Sequence, residues 1–110
     1  MKIAESDNSN LTISPESIKS RYSILDRIGN LGKTREAGYL RAAYSDDETS
    51  AMKVLAEAAA NAGLKCKWDG LGNLSIETPG NFSEWIETGS HLDTVPYGGN
   101  FDGLAGVVAG

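Results

Sequence analysis

The sequence predicts an α/β fold in which helices pack on a mixed sheet. Three observations lead there. A capped stretch of helical period covers residues 45–62, and the period switches to two over 64–78. The segment "EWIETGS" then delivers a histidine, after which the chain turns through glycines and re-enters a small-residue helix after 102. Helices and strands following one another across short turns are the pattern of layered α/β domains.

Residues 1–12 are polar and are expected to form a flexible amino terminus, with one domain over 13–110. "SPESIKSRYSILDRIGN" reads as the first helix. Ser14 is its N-cap and Pro15 takes the first helical position, where the missing N–H costs nothing. Ile18, Tyr22 and Leu25, flanked by Ile24 and Ile28, make its apolar stripe, and Gly29 or Gly32 ends it. "KTREAGYLRAAY" fits no period and is taken as a loop.

The second helix opens on Ser45-Asp46-Asp47-Glu48, a capping box whose acidic first turn suits the positive end of the helix dipole. Ala51, Met52, Leu55, Ala58 and Ala59 form its buried face, and Gly63 is the C′ residue. Leu64, Cys66 and Trp68 then alternate with lysines as a half-buried strand. "DGLGN" is the turn, with Asp69 and Asn73 satisfying local amides, and "LSIET" is the returning strand. "EWIETGS" is expected as a third strand that delivers His91 at its carboxyl end, with parallel neighbours from outside this chain. "GLAGVVAG" reads as a helix packed closely on the sheet. An apolar half-helix at a chain end leaves carbonyls and an apolar face without partners, so the chain is expected to be the amino-terminal part of a longer protein.

Composition narrows the function. The 110 residues carry a net charge of −5 with no Lys/Arg cluster, which argues against nucleic acid or anionic membrane as a partner. No apolar run approaches a membrane span, and the amino terminus lacks the apolar core of a secretory signal. The single cysteine, Cys66, is read as a core residue, and its lack of a disulfide partner within the chain suits a reducing, cytoplasmic setting. Trp68 and Trp85 are read as packing residues. Arg35 and Arg41 could meet a substrate carboxylate, but their spacing favours that no more than plain surface exposure.

The chemistry concentrates in "GSHLDTVPYGGNFDG", residues 89–103, which holds the only histidine. On a strand, His91 and Asp93 project from one face, so Asp93 could hold the imidazole and turn its other nitrogen toward a metal. Asp102 follows a Gly-Gly turn and precedes a helix, where its carboxylate could swing back toward His91. Strand end, glycine loop and helix start is also where open α/β sheets place ligands. Each residue has a plainer reading too: an ordinary histidine, a loop carboxylate at Asp93, a helix N-cap at Asp102. An aspartic-protease triplet at Asp93 is a poor match, because Val95 stands where that motif needs glycine.

"GSHLDTVPYGGNFDGLAGVVAG" resembles the first metal motif of the dinuclear zinc amidohydrolases related to aminoacylases and zinc carboxypeptidases. It is most similar to the branch of N-carbamoyl-L-amino-acid hydrolases, allantoate amidohydrolases and ureidopropionases, because the gap from Asp93 to Asp102 is short. "IGNLGKTREAGYLRAAYSDDETSAM" and "DGLGNL" resemble the same branch. The resemblance implies a zinc-exopeptidase-like catalytic domain holding two divalent ions, zinc first and manganese, cobalt or nickel as alternatives. His91 would be a terminal ligand of one ion, Asp102 the carboxylate shared by both, and Asp93 the catalytic residue that orients His91. The general base (the first glutamate of a Glu-Glu pair), the remaining ligands and the dimerisation domain have no counterpart in this chain. The implied full-length protein is a homodimer that hydrolyses small linear carbamoyl or ureido amides; this chain alone is expected to bind metal weakly and not to turn over. A same-family dipeptidase or aminoacylase, or a non-catalytic module with the same fold, are the alternatives.

Overall fold

The computed structural model describes residues 14–29, 33–34 and 38–110. The expected flexible segment 1–12 and Arg35 lie outside them. Helix α1 (Pro15–Gly29) starts where the proline predicts and buries Leu25 and Ile28, while Ile18 at its outer end is exposed. The two-residue strands β1 (Lys33–Thr34) and β2 (Gly38–Tyr39) pair antiparallel. That ladder occupies the stretch that fits no sequence period: two residues are too few for alternation to register.

Helix α2 (Asp46–Asn61) follows its local signals closely. Ser45 Oγ accepts the Glu48 amide at 3.2 Å. The return arm differs from a standard capping box: the Glu48 carboxylate accepts from Tyr44 N–H, because Ser45 N–H already donates to Ala42 O at 3.1 Å. Ala51, Leu55 and Ala59 are buried and Met52 and Ala58 half-buried, which is the predicted face. Gly63, at φ 79°, ends the helix, and Leu64 N–H returns to Ala59 O at 2.9 Å. Ser45→Ala is expected to lower stability by about 1 kcal/mol, the usual worth of an N-cap, read as a lower denaturant midpoint at unchanged slope.

Strands β3 (Lys65–Trp68) and β4 (Leu74–Glu77) form the predicted antiparallel hairpin. Asp69 Oδ1 accepts the Leu71 and Asn73 amides, both at 2.8 Å, and Oδ2 accepts from Asn73 Nδ2 at 2.7 Å. The Asn73 side-chain and backbone bonds and the Leu71 amide hold the Asp69 carboxyl below its ordinary range. Burial on the hairpin is shallower than the alternation implies. Cys66 is only half-buried, with its thiol 3.6 Å from Ala56 O, and Trp68 is exposed.

The expected third strand over 83–91 does not form, so no parallel pair exists among the described residues. A strand needs a neighbour to take its amides and carbonyls, and none of the described backbone bonds joins residues 84–90 to another strand. Trp85 and Ile86 are left exposed, Trp85 edge-on to Phe82 at 5.3 Å between ring centres. Residues 92–98 pair instead with β2 and its continuation. Tyr39 and Gly98 exchange both backbone bonds at 2.9 and 3.0 Å, and Thr94 N–H donates to Arg41 O at 2.8 Å.

Helix α3 (Leu104–Ala109) is the short small-residue helix the sequence predicts. The core joins Leu25 and Ile28 of α1, Ala51 and Leu55 of α2, Leu104 of α3 and Leu92. Each fully buried leucine or isoleucine contributes about 1.5–3 kcal/mol by leaving water, so Leu92 and Leu104 anchor the two ends of the glycine loop to the helices. No helix among the described residues is long and apolar enough to cross a membrane.

Candidate metal centre

Leu92 and Thr94 are buried, whereas His91 and Asp93 face outward. The two-residue period predicted for a strand thus persists without a ladder on 83–91, because Leu92 enters the core and Thr94 is tied to residues 39–41. His91 Nδ1 lies 3.0 Å from Asp93 Oδ1 and 3.0 Å from Asp93 O. Both neighbours are acceptors, so Nδ1 carries the proton of the neutral ring and Nε2 is left as a bare lone pair.

Nε2 faces the carboxylate of Asp102, 3.8 Å from Oδ1. The N-cap of α3 is Gly103 and no side chain caps the helix amides, so Asp102 does not cap the helix and its carboxylate remains available to His91. The side chains of His91, Asp93 and Asp102 are all between 41% and 53% exposed, which leaves room for a ligand to enter. Tyr97, in the intervening loop, has φ 63°, a conformation rare for an aromatic residue and one that turns the chain sharply back.

A donor set can be tested against an ion by its spacing. Nitrogen and oxygen donors sit about 2.1 Å from zinc, so two that share an ion lie about 3.4 Å apart at a tetrahedral angle and at most about 4.2 Å apart. The 3.8 Å between Nε2 and Oδ1 falls in that interval. An imidazole lone pair beside a carboxylate is also the donor chemistry that zinc, manganese, cobalt or nickel takes. The described residues contain no group of three or more His, Cys, Asp or Glu disposed to hold an ion. Two donors fall short of the three that a catalytic zinc usually has.

The sequence reading missed what lies behind the pair. Arg41, whose sequence spacing favours a substrate contact no more than surface exposure, is fully buried. Its Nε–H donates to Leu92 O at 2.9 Å, and its backbone N–H donates to Thr94 Oγ1 at 2.9 Å. Burial lowers its pKa, opposed by the nearby carboxylates of Asp47, Asp102 and Asp93. The inward alternation of Leu92 and Thr94 was readable, but no local pattern signals an arginine tucked beneath them.

His91 and Asp93 also line an open groove between α2, the hairpin, residues 85–93 and α3, whose walls include Met52, Leu55, Leu74, Ile86 and Val107.

No family model matches the chain. Its sequence is 38% identical over 104 residues to the N-carbamoyl-L-amino-acid amidohydrolase of Pseudomonas sp. (strain NS671), covering 91% of this chain and 24% of that protein. It is 32% identical over 99 residues to the allantoate amidohydrolase of Bacillus subtilis (strain 168), covering 86% of this chain and 24% of that one. The crystal structure of a hydantoinase/carbamoylase family amidase from Burkholderia ambifaria superimposes with a TM-score of 0.74 at 33% identity, over 83% of this chain and 23% of that one. The chain spans about a quarter of the length of these proteins. On sequence and backbone alike, the chain is a homologue of the N-carbamoyl-amino-acid and allantoate amidohydrolases, with the fold of a hydantoinase/carbamoylase family amidase over that quarter.

Proposed function

We propose that this chain supplies the first two ligands of a dinuclear metal site in an amidohydrolase that cleaves linear carbamoyl or ureido C–N bonds. The observation that carries the reading is the convergence of His91 Nε2 on Asp102 while Nδ1 is held by Asp93. In this reading His91 would be a terminal ligand of one ion, Asp102 would be the carboxylate shared by both, and Asp93 would fix the tautomer. Bound divalent ions supply Lewis-acid charge that polarises a carbonyl and acidifies water.

The residues of this chain do the preparatory work. Asp93 keeps the proton of the neutral ring on Nδ1, so that in this tautomer Nε2 is the nitrogen presented to an ion. Leu92 and Leu104 fix both ends of the glycine loop, so the two ligands are brought together before any ion arrives. The remaining ligands and the general base are assigned to other parts of the protein, in keeping with the names and greater lengths of the relatives. A small carbamoyl or ureido substrate, a homodimeric full-length form and a cytoplasmic location complete the proposal; the unpaired Cys66 suits the last.

Calorimetric titration of the 110-residue chain with Zn2+ tests the ligand count. Binding weaker than micromolar is expected, in keeping with two donors, and a sub-micromolar constant would overturn the count. Hydrolysis of an N-carbamoyl-L-amino acid by a longer protein carrying this segment, abolished by chelator and restored by Zn2+, Mn2+, Co2+ or Ni2+, tests the activity. Turnover that survives exhaustive chelation rules the metal assignment out.

A further inference from the structure

We propose that Arg41 is a positioning residue for the metal ligands, holding the 92–93 peptide so that Asp93 meets His91 Nδ1 and placing a fixed positive charge behind Asp93 and Asp102. Its use to a metal rests on the reading above; its effect on the His91 ring does not.

The geometry is specific. The Leu92 carbonyl that accepts from Arg41 Nε belongs to the peptide joining Leu92 to Asp93. Fixing that plane limits ψ of Leu92 and φ of Asp93, which aim the two Asp93 oxygens that contact His91 Nδ1. The main chain of Arg41 grips the next residue from both sides: its N–H donates to Thr94 Oγ1 at 2.9 Å and its carbonyl accepts Thr94 N–H at 2.8 Å. The Thr94 hydroxyl in turn donates to Tyr39 O at 3.3 Å. One residue thus holds both flanks of Asp93.

The charge gives a second, independent reason. Nη1 and Nη2 are buried and have no hydrogen-bond partner among the described residues. Burying a guanidinium in that state is costly unless nearby charge offsets it. Three carboxylates act in that direction, Asp47, Asp102 and Asp93, two of them belonging to the site, although burial is the larger influence and keeps the Arg41 pKa below its ordinary value. Attraction runs both ways, so the buried cation reduces the repulsion between Asp93 and Asp102 as both approach one imidazole.

His91 is the only histidine, so its ring gives the only imidazole signals in a long-range 1H–15N spectrum. The spectrum of the neutral ring should show the Nδ1–H tautomer in the unaltered protein. Arg41→Met should mix the tautomers and weaken Zn2+ binding, followed on the same signals, at least tenfold, the usual effect of losing support behind a ligand. Arg41→Lys keeps the charge without the Nε–H, and should recover part of the affinity but not the pure tautomer. Variants that keep the hairpin amide signals while retaining both the tautomer and an affinity within twofold of the unaltered protein overturn the proposal. If neither variant folds, the unaltered protein decides through hydrogen exchange of the Arg41 Nε–H. Linkage requires zinc to slow that exchange by the factor by which the bond favours zinc; fast exchange with and without zinc overturns the proposal. If zinc leaves the His91 signals unmoved, the metal reading fails, while tautomer and Nε–H protection still judge Arg41.

Discussion

His91→Ala, made in an active protein that carries this segment, is expected to lower kcat/KM by at least three orders of magnitude, about 4 kcal/mol of transition-state stabilisation, with the far-UV circular dichroism unchanged. The ring is about half exposed and its polar contacts are to Asp93 and Asp102. Little folding energy therefore leaves with it. What is lost is the lone pair at Nε2, and this segment has no second histidine to replace it. Asp93→Asn should be milder, about 10- to 100-fold in metal affinity, since the backbone Asp93 O still contacts Nδ1 at 3.0 Å. The order matters as much as the size. If His91→Ala stays within tenfold of the unaltered protein, or if Asp93→Asn is the more damaging change, His91 is not a ligand.

Why this site could be read from sequence while its support could not follows from the range of the interactions. The His91–Asp93 contact spans two residues, and the alternation that produces it is a property of extended backbone. The cap of α2 is likewise local, with Ser45 and Glu48 three residues apart and Gly63 just past the helix. Both were legible. Arg41 meets Leu92 and Thr94 across more than fifty residues. Its burial follows from the pairing of residues 39–41 with 94–98, and no pattern within "GYLRAAY" encodes that partner. Arginine is also among the residues least often buried, so composition points the wrong way. The expected strand at 83–91 failed for the same reason. Its apolar content was real, but a strand is a relation between two segments, and only one of them was visible in "EWIETGS". Trp68 shows the limit of alternation, which assigns a side chain to a face of the hairpin without saying whether anything covers that face.

Among the described glycines, Gly103→Ala should be the most damaging single-methyl change, and it joins stability to the site. At φ 67° and ψ −49° Gly103 lies in a sparsely populated γ-turn region, where an alanine pays about 1–3 kcal/mol. Its Cβ would also stand 2.3 Å from His91 O and 2.6 Å from both Cε1 and Nδ1 of the ring. The carbonyl is main chain and cannot swing aside, so α3 and residue 91 must separate, with about 1–3 kcal/mol more for overpacking. A fall in Tm of more than about 10 °C follows for a domain of this size. Two other glycines divide the effect into its parts. Gly63→Ala meets nothing within 4 Å but keeps the positive φ of 79°, and should show the backbone penalty alone. Gly99→Ala also meets nothing within 4 Å, has no such φ, and should be close to neutral. The separation forced at position 103 also moves His91 away from Asp102, so any zinc response of the ring should weaken in Gly103→Ala and persist in Gly63→Ala. Equal loss of stability in those two variants would mean that the contact between Gly103 and His91 is not made in solution, and the convergence of His91 on Asp102 would lose its structural support.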